Sequence, residues 1–265
     1  MISLLIKKGK NRRELEYVWQ AGFFASCFTI CFSGLLWAQF TSIDIGNPAP
    51  RAGTTTVVKA GRDYDVKGFG TMFGFHVGSD RGRFVYARLM GDFDISVQID
   101  SLHPDNPSLS KAGLMVRKSL DSGSLFFGQE VSTNEYHYEC DRYVSIFRLI
   151  EHGSLEPKFE PAVGNDTMGY TPWGYLPDDC SKEPRPFPNV WLRIKKVGRT
   201  YTGYRKENNG EWIKMGERAL DLGTGPFAGM YVAPNEHGLG PDNGATAKFR
   251  NLLGFERATA LNTKK

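Results

Sequence analysis

"DFDISVQID", Asp92 to Asp100, is the stretch whose reading decides the fold class. Phe93, Ile95, Val97 and Ile99 alternate with Asp94, Ser96 and Gln98, so an extended chain turns four apolar side chains one way and the polar ones the other. That is the pattern of a half-buried strand in an antiparallel sheet. Working outward, "NVWLRIKK" (Asn189 to Lys196) repeats it with Val190, Leu192 and Ile194. "YTGYRKENNGEW" (Tyr201 to Trp212) follows with a hairpin signal at Asn209-Gly210. Further short apolar runs span Phe84 to Met90, Gly113 to Lys118, Leu125 to Val131, Val144 to Leu149, Phe227 to Val232 and Ala245 to Leu252. No segment beyond the first 38 residues has the periodicity of an amphipathic helix. Many short strands separated by turn residues predict an all-β, two-sheet antiparallel jelly-roll sandwich.

Composition agrees. In a chain of 265 residues that is 40% hydrophobic, 30 glycines and 14 prolines favour turns over helices while leaving enough apolar material for a large core. The formal net charge is +4, but Lys7, Lys8, Lys10, Arg12 and Arg13, offset by Glu14 and Glu16, supply +3 of it before residue 38. The remaining charge is nearly balanced, which gives no electrostatic footprint for nucleic acid.

The first 38 residues read differently from the rest. A basic segment precedes the uncharged run Ala21 to Ala38, which ends on a small residue before Gln39. This is the organisation of a secretory signal peptide cleaved after Ala38; the alternative is an uncleaved membrane anchor, since Val18 to Phe40 is just long enough to span. Membrane association is thus expected only through this segment, and the location is extracytoplasmic. We expect one jelly-roll domain over residues 39–255 and a polar tail over 256–265. Cys27 and Cys31 lie in the leader, leaving Cys140 and Cys180 downstream. In an oxidising compartment these two most simply pair; closing the loop between them would add about 4 kcal/mol in the chain-entropy model.

One long excursion interrupts the strand rhythm. Residues 156–189 contain seven prolines, which cannot occupy central strands. A shorter one is "APNEHGLGPDNG", Ala233 to Gly244.

"DIGNPAPRAG" (Asp44 to Gly53), "FVYARLMGDFDISVQIDSL" (Phe84 to Leu102), "KAGLMVRKSLDSGS" (Lys111 to Ser124), "NVWLRIKKVGRTYTGYRKENNGEW" (Asn189 to Trp212) and "GPFAGMYV" (Gly225 to Val232) together resemble, in this order, a bacterial extracellular domain family. It belongs to the concanavalin A-like lectin/glucanase superfamily, in the branch labelled regulation-of-enolase-like. The resemblance covers about residues 44 to 253. It implies a jelly-roll sandwich acting as a non-catalytic, sugar-binding module attached to exported enzymes.

Two groups of residues are candidate ligand sites. If "NEYHYECD" (Asn134 to Asp141) is extended, Glu135, His137, Glu139 and Asp141 form one polar row. Same-face neighbours lie about 6.6 to 6.8 Å apart, so Glu139 and Asp141 could hold their carboxyl groups nearer to inverting than to retaining glycosidase spacing. The superfamily's glucanases place Glu-x-Asp and then a second Glu on one strand. Here Tyr143 and Val144 stand where that second Glu is needed. The row therefore reads as a solvated sheet face or a ligand-binding face, with catalysis by Glu139, Asp141 and His137 as the enzyme alternative. The second group, Tyr170, Trp173 and Tyr175 in "GYTPWGY", is either a platform for stacking sugar rings or a plug holding the excursion to the sandwich. Trp191 and Trp212 read as packing residues of the hairpin. Arg117, Arg142, Arg148 and Arg193 could each reach a carboxylate, although isolated strand arginines are usually solvated edges.

No cofactor is expected. Asp92, Asp94, Asp178, Asp179, Asp242 and Asn243 are oxygen donors of the kind a structural calcium ion accepts, but no loop has EF-hand spacing, and the five histidines show no zinc spacing. The expected function is binding of glycan or another extracellular polymer. A carbohydrate-active hydrolase and a structural or adhesive surface protein are the alternatives.

Overall fold

The computed structural model describes residues 40–46, 51–70, 80–105, 110–133, 187–206, 209–234 and 243–256, with the backbone alone of 142–149, 158–159 and 207. The leader, the Asn134 to Asp141 row, both downstream cysteines and the aromatic group at 170–175 lie outside the described residues. Among the described residues no helix is long and apolar enough to cross a membrane.

The strands are β1 (Thr41–Ile45), β2 (Thr54–Lys59), β3 (Asp63–Phe69), β4 (Gly82–Arg88), β5 (Phe93–Pro104), β6 (Lys111–Arg117), β7 (Phe126–Ser132), β8 (Arg142–Leu149), β9 (Lys158–Phe159), β10 (Val190–Val197), β11 (Thr200–Glu207), β12 (Ile213–Ala219), β13 (Phe227–Ala233) and β14 (Gly244–Leu253). They form two seven-stranded sheets. Sheet A runs β1-β4-β13-β6-β7-β8-β9 and sheet B runs β12-β11-β10-β5-β14-β3-β2. Every pairing is antiparallel. Neighbours far apart in sequence, such as β4 with β13 and β5 with β14, make this the expected jelly-roll sandwich.

The alternation seen in the sequence builds the core. From sheet B come Ile95, Val97, Ile99, Val190, Leu192, Ile194 and Phe249; facing them from sheet A are Val85, Leu114, Val116, Phe127, Met230 and Val232, all at or near zero exposure. Each such side chain contributes roughly 1.5 to 3 kcal/mol by leaving water. Asn209 and Gly210 lie between β11 and β12, where the hairpin was expected.

Two features differ from a simple one-sided sandwich. Sheet B follows the expectation: β10 alternates buried and partly exposed positions. In sheet A, however, β6 and β7 are buried at every position. A second apolar cluster of Ile45, Phe84, Tyr86, Met115, Phe126, Tyr231 and Ala233 occupies its outer face.

The "DIGNPAPRAG" stretch has a structural cause. Both carboxylate oxygens of Asp44 accept the Gly53 backbone N–H at 3.1 Å, and Oδ2 also accepts Arg83 Nη1 at 3.0 Å. Arg83 donates further to Ser42 on β1 and Thr55 on β2, so one guanidinium ties the two sheets at this edge. A side chain at position 53 would meet the Lys67 carbonyl oxygen at 2.6 Å, hence glycine.

Candidate functional site

The block "KAGLMVR" forms β6, and its alternation sends Lys111, Gly113, Met115 and Arg117 to the outer face of sheet A while Ala112, Leu114 and Val116 enter the core. Register then decides who meets whom. Gly113 pairs with Glu130 on β7 and with Tyr231 on β13. Because glycine has no side chain, nothing stands between the two flanking residues, and the Tyr231 hydroxyl donates a hydrogen bond to Glu130 Oε2 across it. Lys111 Nζ lies 2.8 Å from Glu130 Oε1, both side chains nearly or fully buried. That contact is an ion pair set off the hydrogen-bonding direction, so it neutralises the carboxylate without saturating its lone pairs.

A second buried pair closes the same face. Arg117 Nη1 donates to Asp80 Oδ2 at 2.8 Å, and neither side chain has any exposure. The guanidinium also donates to the carbonyl oxygens of Ser119 and Asp121, while the Asp80 N–H bonds the Ser122 carbonyl. One arginine thereby secures the β6–β7 turn and the approach to β4. Of the two expectations for Arg117, a carboxylate partner is met and a solvated edge is not. Its burial is a correction, because sheet A is covered on both faces and any cation on it must be paired. Arg193 is likewise committed, donating from Nε to Asp94 Oδ1 at 2.6 Å and from Nη2 to Oδ2. Sequence reading missed Lys111, Glu130 and Tyr231 as a group; period-two alternation marked their face, but only strand order makes them neighbours.

Burial pushes the Tyr231 phenol well above its ordinary value, and the adjacent Glu130 charge and hydrogen bond raise it further. Burial likewise raises Tyr201, Tyr64 and Tyr86. The folded state therefore keeps phenolic protons that the unfolded chain loses near pH 10, so stability is fully present below that pH and falls as pH rises above it. We expect the unfolding free energy from urea titration to fall as pH rises above 10, with the fully buried Tyr231 contributing at most about 1.4 kcal/mol per pH unit. Tyr231→Phe should make that decline shallower, while costing about 1.5 to 3 kcal/mol at pH 7 for the lost bond to Glu130. An unchanged alkaline slope would contradict this account.

The expected row Glu135, His137, Glu139 and Asp141 falls in the connection from β7 to β8, whose ends pair as Ser132 with Arg142. The row itself, Tyr170, Trp173, Tyr175 and the Cys140/Cys180 pair lie outside the described residues. Of the calcium donors, Asp92 accepts the Gly198 N–H at 2.8 Å and faces Lys196, and Asp94 is held by Arg193. Both border an open groove of about 360 Å³ that Lys195, Lys196 and Glu256 also line. Among the described residues no three His, Cys, Asp or Glu side chains gather.

Trp191 and Trp212 had read as packing residues. Instead both are half-buried on the outer face of sheet B, where Lys206 Nζ sits 4.9 Å from each ring centroid. Arg193 lies 5.4 Å from the Trp212 ring and 5.1 Å from that of Tyr204. The core side of β10 is taken by Val190, Leu192 and Ile194, so Trp191, one residue out of step, has to face outward.

No protein-family model matches the chain, and a search of curated proteins gives no match. Among solved structures, a functionally unknown protein from Saccharomyces cerevisiae is similar with a TM-score of 0.50 and 15% identity, over 86% of this chain and 98% of that one. A xylan beta-1,4-xylosidase from Bacillus halodurans C-125 is similar at TM-score 0.45 and 15% identity, over 74% of this chain but only 34% of that one. An alginate lyase from Klebsiella pneumoniae is similar at TM-score 0.45 and 10% identity, over 79% and 85% of the two chains. At these identities the likeness is one of fold alone, the two-sheet antiparallel jelly-roll sandwich described above.

Proposed function

We propose that the protein is an exported, non-catalytic module that binds glycan or another extracellular polymer, of the regulation-of-enolase-like branch suggested by its motif order. The observation that carries this reading is the outer face of sheet A, where Lys111, Glu130, Tyr231, Asp80 and Arg117 form a polar layer over an otherwise apolar sheet. Supporting charges at such depth is costly unless each is paired, and the pairing fixes their geometry. The ligand residues under this proposal are Glu135, His137, Glu139 and Asp141, which join two strands of that same sheet, with Tyr170, Trp173 and Tyr175 for stacking. Cys140 and Cys180 are proposed to pair, in keeping with an extracytoplasmic location. A structural calcium ion is retained only as a variable for the test. A non-catalytic role is favoured because Tyr143 and Val144 stand where a glucanase-like strand needs its second Glu, so a retaining mechanism loses one of its two carboxylates.

Affinity electrophoresis through neutral and acidic polysaccharides, with and without calcium, tests the proposal. We expect retardation that Trp173→Ala, or the double change Glu139→Gln with Asp141→Asn, weakens by about tenfold. Failure of every polymer to retard the protein would favour a structural or adhesive role. Release of sugar that disappears in the double variant would favour the hydrolase.

A further inference from the structure

We propose that the outer face of sheet B carries a second, independent binding surface for a uronate-containing polysaccharide, centred on Lys206 between Trp191 and Trp212. Trp191 and Lys206 are directly opposed on β10 and β11, and Arg193 and Tyr204 form the next same-face pair. Trp212, just before β12, closes the row, giving the order Trp191, Lys206, Trp212, Arg193, Tyr204 with aromatic rings and cations alternating.

The two cations are not equivalent. Arg193 has its carboxylate in Asp94. Lys206 is held by two indole rings and has no acidic partner among the described residues. The rings fix the ammonium in place on a half-exposed surface, so an incoming carboxylate meets a donor whose ordering cost is already met. Neither indole N–H has a hydrogen-bond acceptor among the described residues, and each ring keeps an edge in water. Apolar ring bodies suit the C–H faces of a sugar, the indole N–H groups suit its hydroxyls, and Lys206 supplies the counter-charge for an acid group.

Charge density argues for a sparsely charged sugar chain over a polyphosphate. Asp94 and Glu217 share this face with the cations, and duplex DNA presents one negative charge per roughly 1.7 Å of axis, which calls for a denser basic track. The surface is separate from sheet A, so it stands or falls apart from the site proposed there.

The test is isothermal titration of the full chain with polygalacturonate and with an uncharged galactan, for wild type, Trp191→Ala, Trp212→Ala and Lys206→Gln, each checked by thermal melting. We expect wild type to prefer polygalacturonate, either tryptophan change to weaken that binding by about tenfold, and Lys206→Gln to remove the preference for the acidic polymer. Added salt should weaken the wild type and leave Lys206→Gln almost unaffected. Equal binding of both polymers, no binding of polygalacturonate, or acidic-polymer binding untouched by folded Trp191→Ala and Lys206→Gln proteins would each overturn the proposal. In the last case, retention that instead responds to Trp173→Ala would leave the sheet A reading standing.

Discussion

Arg117→Met is expected to lower stability by about 3 to 5 kcal/mol, measured as the shift in urea unfolding at pH 7. The cost does not come from lost surface charge, since Arg117 has none of its surface in water. It comes from stripping the fully buried Asp80 carboxylate of a cation at 2.8 Å and the carbonyls of Ser119 and Asp121 of their donor. Desolvating an ion is tolerable only when another ion or hydrogen bonds replace the water, so removing the guanidinium strips away a large part of that compensation. The double change Arg117→Met with Asp80→Leu should recover a large part of the loss, because no charge then remains to be solvated. A single-variant loss under about 1 kcal/mol, or a double variant no better than Arg117→Met, would show that the pair does not hold this face together. Unfolding of the single variant at room temperature agrees with the expectation, and the double variant then supplies the measurement.

Gly113→Ala should cost about 3 kcal/mol or more, for a different reason. An added Cβ would stand 2.0 Å from the Gln129 carbonyl oxygen and 2.8 Å from Glu130 Cα, both backbone atoms of the paired strand. Flexible side chains can swing away from a new methyl group, but a strand held on both edges by hydrogen bonds cannot. β6 must therefore separate from β7 at this point. The same movement parts Tyr231 from Glu130, since the two meet across Gly113. A second readout follows: the alkaline loss of stability attributed to Tyr231 should be shallower in Gly113→Ala, as in Tyr231→Phe. A loss below about 1 kcal/mol with the wild-type alkaline slope would mean that the strand tolerates a side chain here.

The placement of particular residues shows how far alternation carries a reader. Phe93, Ile95, Val97 and Ile99 were assigned to one face of a strand, and Ile95, Val97 and Ile99 lie in the core with Phe93 packed against it. Trp191 sits on the same strand as Val190 and Leu192, and the same rule, applied strictly, would have placed it outside. Its place in the framework hairpin reads as packing, and strand periodicity overrides that reading. Arg117 went the other way. Its place in the alternation of "KAGLMVR" puts it on the outer face of sheet A, but nothing in the sequence tells that this face is as dry as the inner one.

Period-two hydrophobicity, turn residues and the scarcity of helical patterning were enough to establish a two-sheet antiparallel sandwich and the face of most strand residues, because both depend on neighbours one or two positions along the chain. Strand order and register belong to the folded molecule: they bring β7 beside β6, β6 beside β13 and β10 beside β11, and so create the Glu130–Tyr231 bond across Gly113 and the ammonium between two indoles. Those encounters join residues up to about a hundred positions apart. Their energies depend on burial and pairing distance, quantities that exist only once the sheets have closed on each other.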